Sequence, residues 1–134
     1  MPEKQYHSQN HSKYLLRVHL VFACKYRKKL LKGALNESMK KILKDIENMS
    51  DFDIVVMETD ADHIHLMLDY PPTLSVLQMV NRLKSVSTVR IWKEHEEILC
   101  FHFWKRTFWS DGYFACSTGD ASTETIKKYI EQQG

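Results

Sequence analysis

The chain has 134 residues, of which 43% are hydrophobic, and its formal net charge is +2. This length suits one domain with a hydrophobic core, so we expect a single domain over residues 1–134 with a flexible segment at 1–13. Three widely spaced cysteines argue against a disulfide framework or a zinc knuckle. The polar N-terminus lacks a signal peptide's apolar core, and no apolar run approaches the ~20 residues that cross a bilayer. We therefore expect a soluble cytoplasmic protein without a membrane partner.

The charge is distributed unevenly along the chain. Residues 1–50 contain 11 Lys and Arg against 4 Asp and Glu, whereas residues 51–134 contain 8 against 13. The stretch CKYRKKLLK surrounds one aromatic ring with basic side chains: Tyr26, with Lys25, Arg27, Lys28 and Lys29. This pattern suits a phosphate backbone with a stacked base, although a solvated loop is also compatible with it.

Hydrophobic periodicity predicts the elements of the first half in chain order. Residues 14–26 are rich in β-branched and aromatic residues and predict a strand. Residues 34–49 repeat apolar residues at spacings of three and four, which indicates an amphipathic helix. Residues 52–59 and 63–70 predict two strands whose connection is short enough for an antiparallel hairpin.

The second half begins at Pro71, which ends the preceding strand, and Thr73 is placed to cap a helix over about 74–93. The apolar stripe of that helix is expected at Val76, Val80, Leu83 and Val86, and a polar stripe at Asn81, Lys84, Ser85 and Thr88. The aromatic stretch 101–118 predicts one or two strands, and residues 121–133 predict a last helix. The order β, α, β, β, α, β, α indicates an α+β, ferredoxin-like (split β-α-β) sandwich with a largely antiparallel sheet and an extra C-terminal helix.

The stretch DADHIHLMLDY carries two histidines one residue apart in a predicted strand. Because side chains alternate between faces, His63 and His65 point away from the face of Ile64 and can converge on one cation. The acidic neighbours Glu58, Asp60 and Asp62 favour a bound metal ion. Two partly exposed histidines without a ligand remain the alternative.

In the last predicted helix, Tyr129 and Gln133 share the stripe of Ile126 and Ile130. Tyr129 is therefore expected to face protein, and a plain core tyrosine explains this position equally well.

Several blocks in order resemble the HUH single-tyrosine transposases of the insertion sequence 200/605 family. The blocks are VHLVFACKYRKKLL, DHIHLMLDYPPTLSV, RLKSVST, FWSDGYFACSTG and IKKYIEQQ. The resemblance implies that Tyr129 is the nucleophile and that His63, His65 and Gln133 bind Mg²⁺ or Mn²⁺. It also implies a homodimer, with active sites that can be shared between subunits, acting on single-stranded DNA that carries hairpins near the element ends. By this resemblance, the DNA is cleaved and rejoined through a 5′-phosphotyrosine.

Basic residues in the blocks and beside them are the candidates for DNA contact: Lys25, Arg27, Lys28, Lys29, Arg82, Lys84, Lys105 and Arg106. Asp111 stands before Gly112, where related sequences often carry a basic residue, and this departure puts a DNA contact of that turn in doubt.

Three other functions stay open at the level of sequence. A host-adopted HUH nuclease of repetitive palindromic elements would share the chemistry but usually carries more sequence around the core. A non-catalytic ferredoxin-like nucleic-acid-binding module predicts stacking aromatics on the central strands, where this chain has His63 and His65. A zinc hydrolase would use the histidines but not Tyr129.

Overall fold

The computed structural model describes residues 16–117 and residue 131. Four strands are present in this part of the chain: β1 (Leu16–Ala23), β2 (Asp53–Asp60), β3 (His63–Tyr70) and β4 (Phe114–Ser117). Two helices connect them, α1 (Gly33–Asn48) and α2 (Val76–Leu99). The segment 1–13 and the last helix lie outside the described residues, except Glu131. No helix in the described ranges has the length and apolar character needed to cross a membrane.

The strands form one sheet in the order β2-β3-β1-β4, and every neighbouring pair is antiparallel. β1 and β2, which are joined through α1, are separated in the sheet by β3, as in a split β-α-β unit. The α+β, ferredoxin-like fold predicted from the element order is therefore confirmed. The hairpin of β2 and β3 and the amphipathic α1 are confirmed as well.

The hydrophobic core lies on one face of the sheet. Alternate residues of β1 and β3 point into it, and Leu20, Ile64 and Leu66 are fully buried there with Met39 of α1 and Leu83 of α2. The other side chains of β3 point to the opposite face, where His63, His65 and Met67 are half-buried. Helices α1 and α2 both pack on the core face, so the two histidines lie on the face that these two helices do not cover.

The first strand is shorter than predicted. It ends at Ala23, and a 3₁₀ turn over Lys25–Arg27 follows in place of the strand expected up to residue 26. Tyr26 and Arg27 have φ angles of 60° and 55°, a left-handed conformation that a strand cannot contain. The β-branched and aromatic composition of the segment did not indicate this turn.

α2 begins later and ends later than predicted. Ser75, not Thr73, caps it: the Ser75 hydroxyl accepts from the Gln78 backbone N–H, and the Gln78 side chain accepts from the Ser75 N–H, which makes a capping box. The helix continues to Leu99 through a distortion at His95, where φ is −135°. Its buried stripe includes Ser87 where Val86 was expected, because Ser87 accepts a hydrogen bond from the buried Trp109 Nε1 at 2.9 Å.

The aromatic stretch after α2 supplies one strand rather than two. Residues 101–113 run without regular strand pairing apart from a bridge between Trp109 and Cys24, and β4 follows at the edge of the sheet. Phe103, Phe108 and Trp109 are buried in this segment, so its aromatic composition reflects packing onto the core.

Candidate active site

The two histidines of the predicted HUH pair lie at the N-terminal end of β3, on the face opposite the one that α1 and α2 cover. In the antiparallel register His63 is opposite Asp60 and His65 is opposite Glu58, so the acidic residues of β2 flank the pair. The side chains of His63 and His65 are 20% and 23% exposed. Both rings are therefore accessible from solvent while protein groups restrict them.

His63 is oriented by a carboxylate. Its Nδ1 lies 3.0 Å from Asp62 Oδ1, and Asp62 Oδ2 accepts from Arg27 Nη2 at 3.3 Å. Since an ionised carboxylate only accepts, Nδ1 of His63 donates, which selects the tautomer whose Nε2 carries the lone pair in the neutral ring. Burial tends to raise the pKa of Asp62, but the His63 hydrogen bond and the Arg27 charge outweigh it and lower that pKa. Asp62 is therefore ionised in this position.

His65 has two neighbours, one on each ring nitrogen. Its Nε2 lies 3.0 Å from Nδ1 of His19 on β1, and the two rings stack with centroids 5.3 Å apart. Its Nδ1 lies 3.7 Å from a Glu58 carboxylate oxygen. Burial and the neighbouring His19 lower the pKa of His65, while Glu58 opposes the shift. The lowered pKa favours the neutral imidazole, the form that ligates a metal ion.

The described residues fit a divalent cation only in part. Within residues 16–117 and 131, no group of three or more His, Cys, Asp or Glu is arranged to hold a metal ion. His63 and His65 supply two imidazoles, which leaves most coordination positions to oxygen ligands. Amide, phosphate and water oxygens are the ligands that Mg²⁺ and Mn²⁺ prefer. The donor set thus fits such an ion if a further ligand comes from outside the described ranges.

The end of the chain reaches this region at one described point. Arg27 Nη1 lies 3.5 Å from the carbonyl oxygen of Glu131. The same guanidinium holds Asp62 beside His63. Tyr129 and Gln133 are outside the described residues, but Glu131 is two positions from each of them in the sequence.

The predicted DNA-contacting residues separate into two groups. Lys25, Arg27 and Lys28 lie on the turn after β1 and Lys29 follows them, and Arg27 reaches the Asp62 that contacts His63. The exposed Lys105 lines a groove together with Lys25 and Lys28. Arg82 instead donates to the Met49 carbonyl at 3.0 Å, and Arg106 lies 3.6 Å from Glu96.

Lys84 has a different environment from the one the sequence suggested. Its Nζ donates to the carbonyls of Ser110 and Gly112 at 2.7 and 2.8 Å and lies 3.3 Å from that of Asp111. Burial lowers its pKa to about 8, although Asp111 opposes this. The ammonium group therefore supports the turn at 110–112, and a DNA contact by Lys84 stays a prediction. The Asp111 carboxylate pairs with Lys25 at 3.3 Å.

Comparison with known proteins identifies the family. The family model for IS200-like transposases matches residues 12–133. The chain belongs to the IS200-like transposase family. The ISDra2 transposase TnpA of Deinococcus radiodurans is 31% identical over 120 residues, 90% of this chain and 85% of the relative. The IS200 transposase of Salmonella typhimurium is 32% identical over 123 residues, 92% of this chain and 80% of the relative.

Solved structures agree with this assignment. A crystal structure from Deinococcus radiodurans R1, described as a possible transposase, superposes with a TM-score of 0.84 at 28% identity and covers 92% of this chain and 94% of that one. A REP-associated tyrosine transposase bound to a REP hairpin has a TM-score of 0.57 at 11% identity, with 90% and 67% coverage, and shares the fold. As a member of the IS200-like transposase family, the protein is a DNA-binding enzyme that cleaves DNA and transfers strands.

Sequence reasoning missed two features of the site. His19 was not considered, although it lies on the same face of the sheet as His65, and only the strand register brings the two rings together. Arg27 was expected to contact DNA, but its ion pair with Asp62 depends on the turn after β1. The alternation of β1 could have suggested His19; nothing in the sequence indicated the pairing of Arg27.

Proposed function

We propose that this IS200-like transposase cleaves and rejoins single-stranded DNA through a 5′-phosphotyrosine on Tyr129. The observation that carries the proposal is the chain of contacts from Glu131 through Arg27 and Asp62 to His63. Glu131 lies between Tyr129 and Gln133 in the sequence, so this contact supports a terminal segment that works beside the HUH pair.

The cleavage step transfers one phosphodiester bond. The phenol oxygen of Tyr129 attacks phosphorus, the bond from phosphorus to O3′ breaks, and O3′ leaves as a 3′-hydroxyl after gaining a proton. The phenol has a reference pKa of about 10, so its proton must be removed during attack. Since the phosphotyrosine keeps the ester bond, a 3′-hydroxyl of another strand can reverse the step without ATP.

His63, His65 and Gln133 are proposed to hold Mg²⁺ or Mn²⁺. When bound, this ion supplies Lewis-acid stabilisation of the charge on the scissile phosphate. Asp62 orients the His63 ring through Nδ1 so that Nε2 is the nitrogen directed to a ligand, and the lowered pKa of His65 favours its neutral ring.

The proposed substrate is single-stranded DNA with hairpins near the element ends. The REP-associated neighbour is bound to a REP hairpin, which supports hairpin recognition by this fold, although that protein shares only 11% identity with this chain. The basic turn after β1 supplies positive charge beside the HUH pair, where the DNA backbone must pass.

Covalent attachment tests the proposed nucleophile. The protein is incubated with Mg²⁺ and single-stranded DNA from the flanks of its gene, labelled at the 3′ end, and run on a denaturing protein gel. We expect a labelled protein band that requires metal, is lost in Tyr129→Phe and is kept in the control Tyr70→Phe. A band that persists in Tyr129→Phe would refute the assignment.

We further propose a homodimer, in which Tyr129 acts with the histidines of its own subunit, as the contact of Glu131 with Arg27 in one chain favours, or with those of its partner. Mixing Tyr129→Phe and His65→Ala proteins distinguishes the arrangements, because a mixed dimer then has one complete site only if the site is shared. A labelled adduct that reappears on the His65→Ala subunit would show a site shared between subunits. No recovery after verified subunit exchange would show that each subunit uses its own tyrosine.

A further inference from the structure

A groove of about 480 Å³ lies between the turn after β1 and the segment that follows α2. Three aromatic and three basic residues form most of its lining: Tyr26, Phe103, Trp104, Lys25, Lys28 and Lys105. The pairing of rings with cations makes this groove different in chemistry from the histidine site beside it.

The aromatic rings of the groove differ in burial. Phe103 is 4% exposed and packs with the core, whereas Tyr26 is 67% exposed and Trp104 is fully exposed. The other two tryptophans, Trp92 and Trp109, are buried. A large apolar ring left in water contributes no burial energy to folding, so the Trp104 ring is available to a partner.

The lysines give the groove a positive charge. Lys25 Nζ lies 5.6 Å from the Tyr26 ring centroid, and Lys28 Nζ lies 6.0 Å from that of Phe103. Among the described residues that line the groove, none carries a carboxylate. Exposed rings beside ammonium groups match a ligand that has both flat rings and anionic groups.

The backbone at Tyr26 and Arg27 connects the groove to the HUH pair. Both residues are held in the left-handed region, which disfavours residues other than glycine. This conformation places Tyr26 at the groove while the guanidinium of the next residue, Arg27, reaches Asp62. Single-stranded DNA that extends from the histidines therefore reaches Tyr26, the residue next to Arg27, whose guanidinium holds Asp62 beside His63.

We infer that this groove stacks unpaired bases of the single-stranded DNA that adjoins the scissile phosphate, and the inference rests on the proposed function. Tyr26 and Trp104 stack on the bases, and Lys28 and Lys105 contact the phosphates between them, while Lys25 is paired with Asp111. Every base has a π-face, so this binding depends little on sequence. Bases paired inside a duplex are already stacked, so the groove favours single strands.

Binding without cleavage tests the groove directly. The full chain carrying Tyr129→Phe is titrated into a fluorescein-labelled 12-nucleotide oligo(dT) without metal, and anisotropy is recorded. We expect the further change Trp104→Ala to raise Kd about tenfold. Tyr26→Asn should act in the same direction, since asparagine tolerates the left-handed backbone. Phe101→Ala is the matched control, because Phe101 is 87% exposed but does not line the groove.

Unchanged Kd values in both groove variants would overturn the inference, as would an equal loss of affinity for a 12-base-pair duplex. Cleavage of flank DNA that carries single abasic positions then tests whether the stacked bases adjoin the scissile phosphate. An abasic position beside the scissile phosphate should slow cleavage by the wild-type protein but should cause no further loss in Trp104→Ala. If the two changes reduce cleavage additively, the stacking position is refuted. If wild type forms no adduct while oligo(dT) binding still depends on Trp104, the proposed function fails and the groove stands as a single-strand site. If Trp104→Ala cleaves normally and binds oligo(dT) with unchanged Kd, the groove inference is refuted and the proposed function is kept.

Discussion

The two faces of β3 differ in what their residues do. Ile64, Leu66 and Leu68 are 0% exposed on the helix-covered face, whereas the His63 and His65 side chains on the other face are 20% and 23% exposed. The covered face gains its energy from burial of apolar area. The opposite face, called the open face because α1 and α2 do not cover it, holds the two imidazole rings through contacts with Asp62, His19 and Glu58. One strand thus separates stability from chemistry by its period of two.

The largest expected effect is on the open face. His65→Ala should reduce metal-dependent cleavage at least about a hundredfold, since it removes a proposed ligand. Its thermal unfolding midpoint should stay close to that of wild type, because the His65 ring lies on the face away from the core and contributes little to it. Met67→Ala, on the same face, is the matched control and should retain cleavage. A large loss of stability in His65→Ala would remove the distinction between the faces.

A truncation on the covered face should instead reduce stability and leave the chemistry of the folded protein unchanged. Leu66→Ala should lower the free energy of unfolding by about 2–5 kcal/mol, because it opens a cavity in a fully buried site. Urea denaturation measures the loss. The fraction that remains folded should keep its cleavage rate per folded molecule, and a rate that falls well beyond the folded fraction would show that the two faces are coupled.

A smaller effect is expected at the support of the open face. Asp62→Asn should raise the Mn²⁺ concentration for half-maximal cleavage about ten- to a hundredfold, because the amide no longer enforces the donor role of His63 Nδ1. Asp60→Asn is the control, since Asp60 lies opposite His63 in the register, whereas Asp62 is the carboxylate 3.0 Å from its Nδ1. Equal metal requirements in the two variants would contradict the orienting role of Asp62.

The smallest effect is expected at the edge of the covered face, where Lys84 lies 5.3 Å from the Phe22 ring centroid. Lys84→Met should cost about 1–2 kcal/mol of unfolding free energy near pH 7, because it removes the donor to the carbonyls of Ser110 and Gly112. Chemical denaturation of both proteins checks this. An unchanged free energy of unfolding would show that Lys84 does not stabilise the turn, and it would favour a DNA contact by this residue.

The same pair of proteins yields a pH dependence with a defined sign. Burial lowers the pKa of Lys84 to about 8 in the folded protein, from its ordinary value of 10.5. Between these values the folded state binds fewer protons than the unfolded state, so the Lys84 contribution to stability increases as pH rises. The stability difference between wild type and Lys84→Met should therefore grow from pH 8 to pH 10. A difference that shrinks over this range would contradict the lowered pKa.

Most of the fold could be predicted from the sequence because its signals are local. The spacing of three and four in α1 and the alternation in β3 follow from helix and strand geometry and are confirmed within a residue. The end of β1 and the cap of α2 could not be predicted in the same way. The left-handed turn at Tyr26 and Arg27 contains no glycine that would indicate it. Thr73 and Ser75 are both suitable caps by residue type, and Thr73 lies inside the turn closed by the hydrogen bond from Leu74 N–H to the Pro71 carbonyl.

The sequence by itself determined the family, the ferredoxin-like order of elements and the face that carries His63 and His65, since these depend on motifs and on the periods of strands and helices. Only the tertiary structure decided that His19 contacts His65, that Arg27 supports Asp62 and that Lys84 holds the turn at 110–112. Each of these contacts joins residues more than 20 positions apart in the chain. Strand register and packing bring such residues together, and neither is encoded in the spacing of one segment.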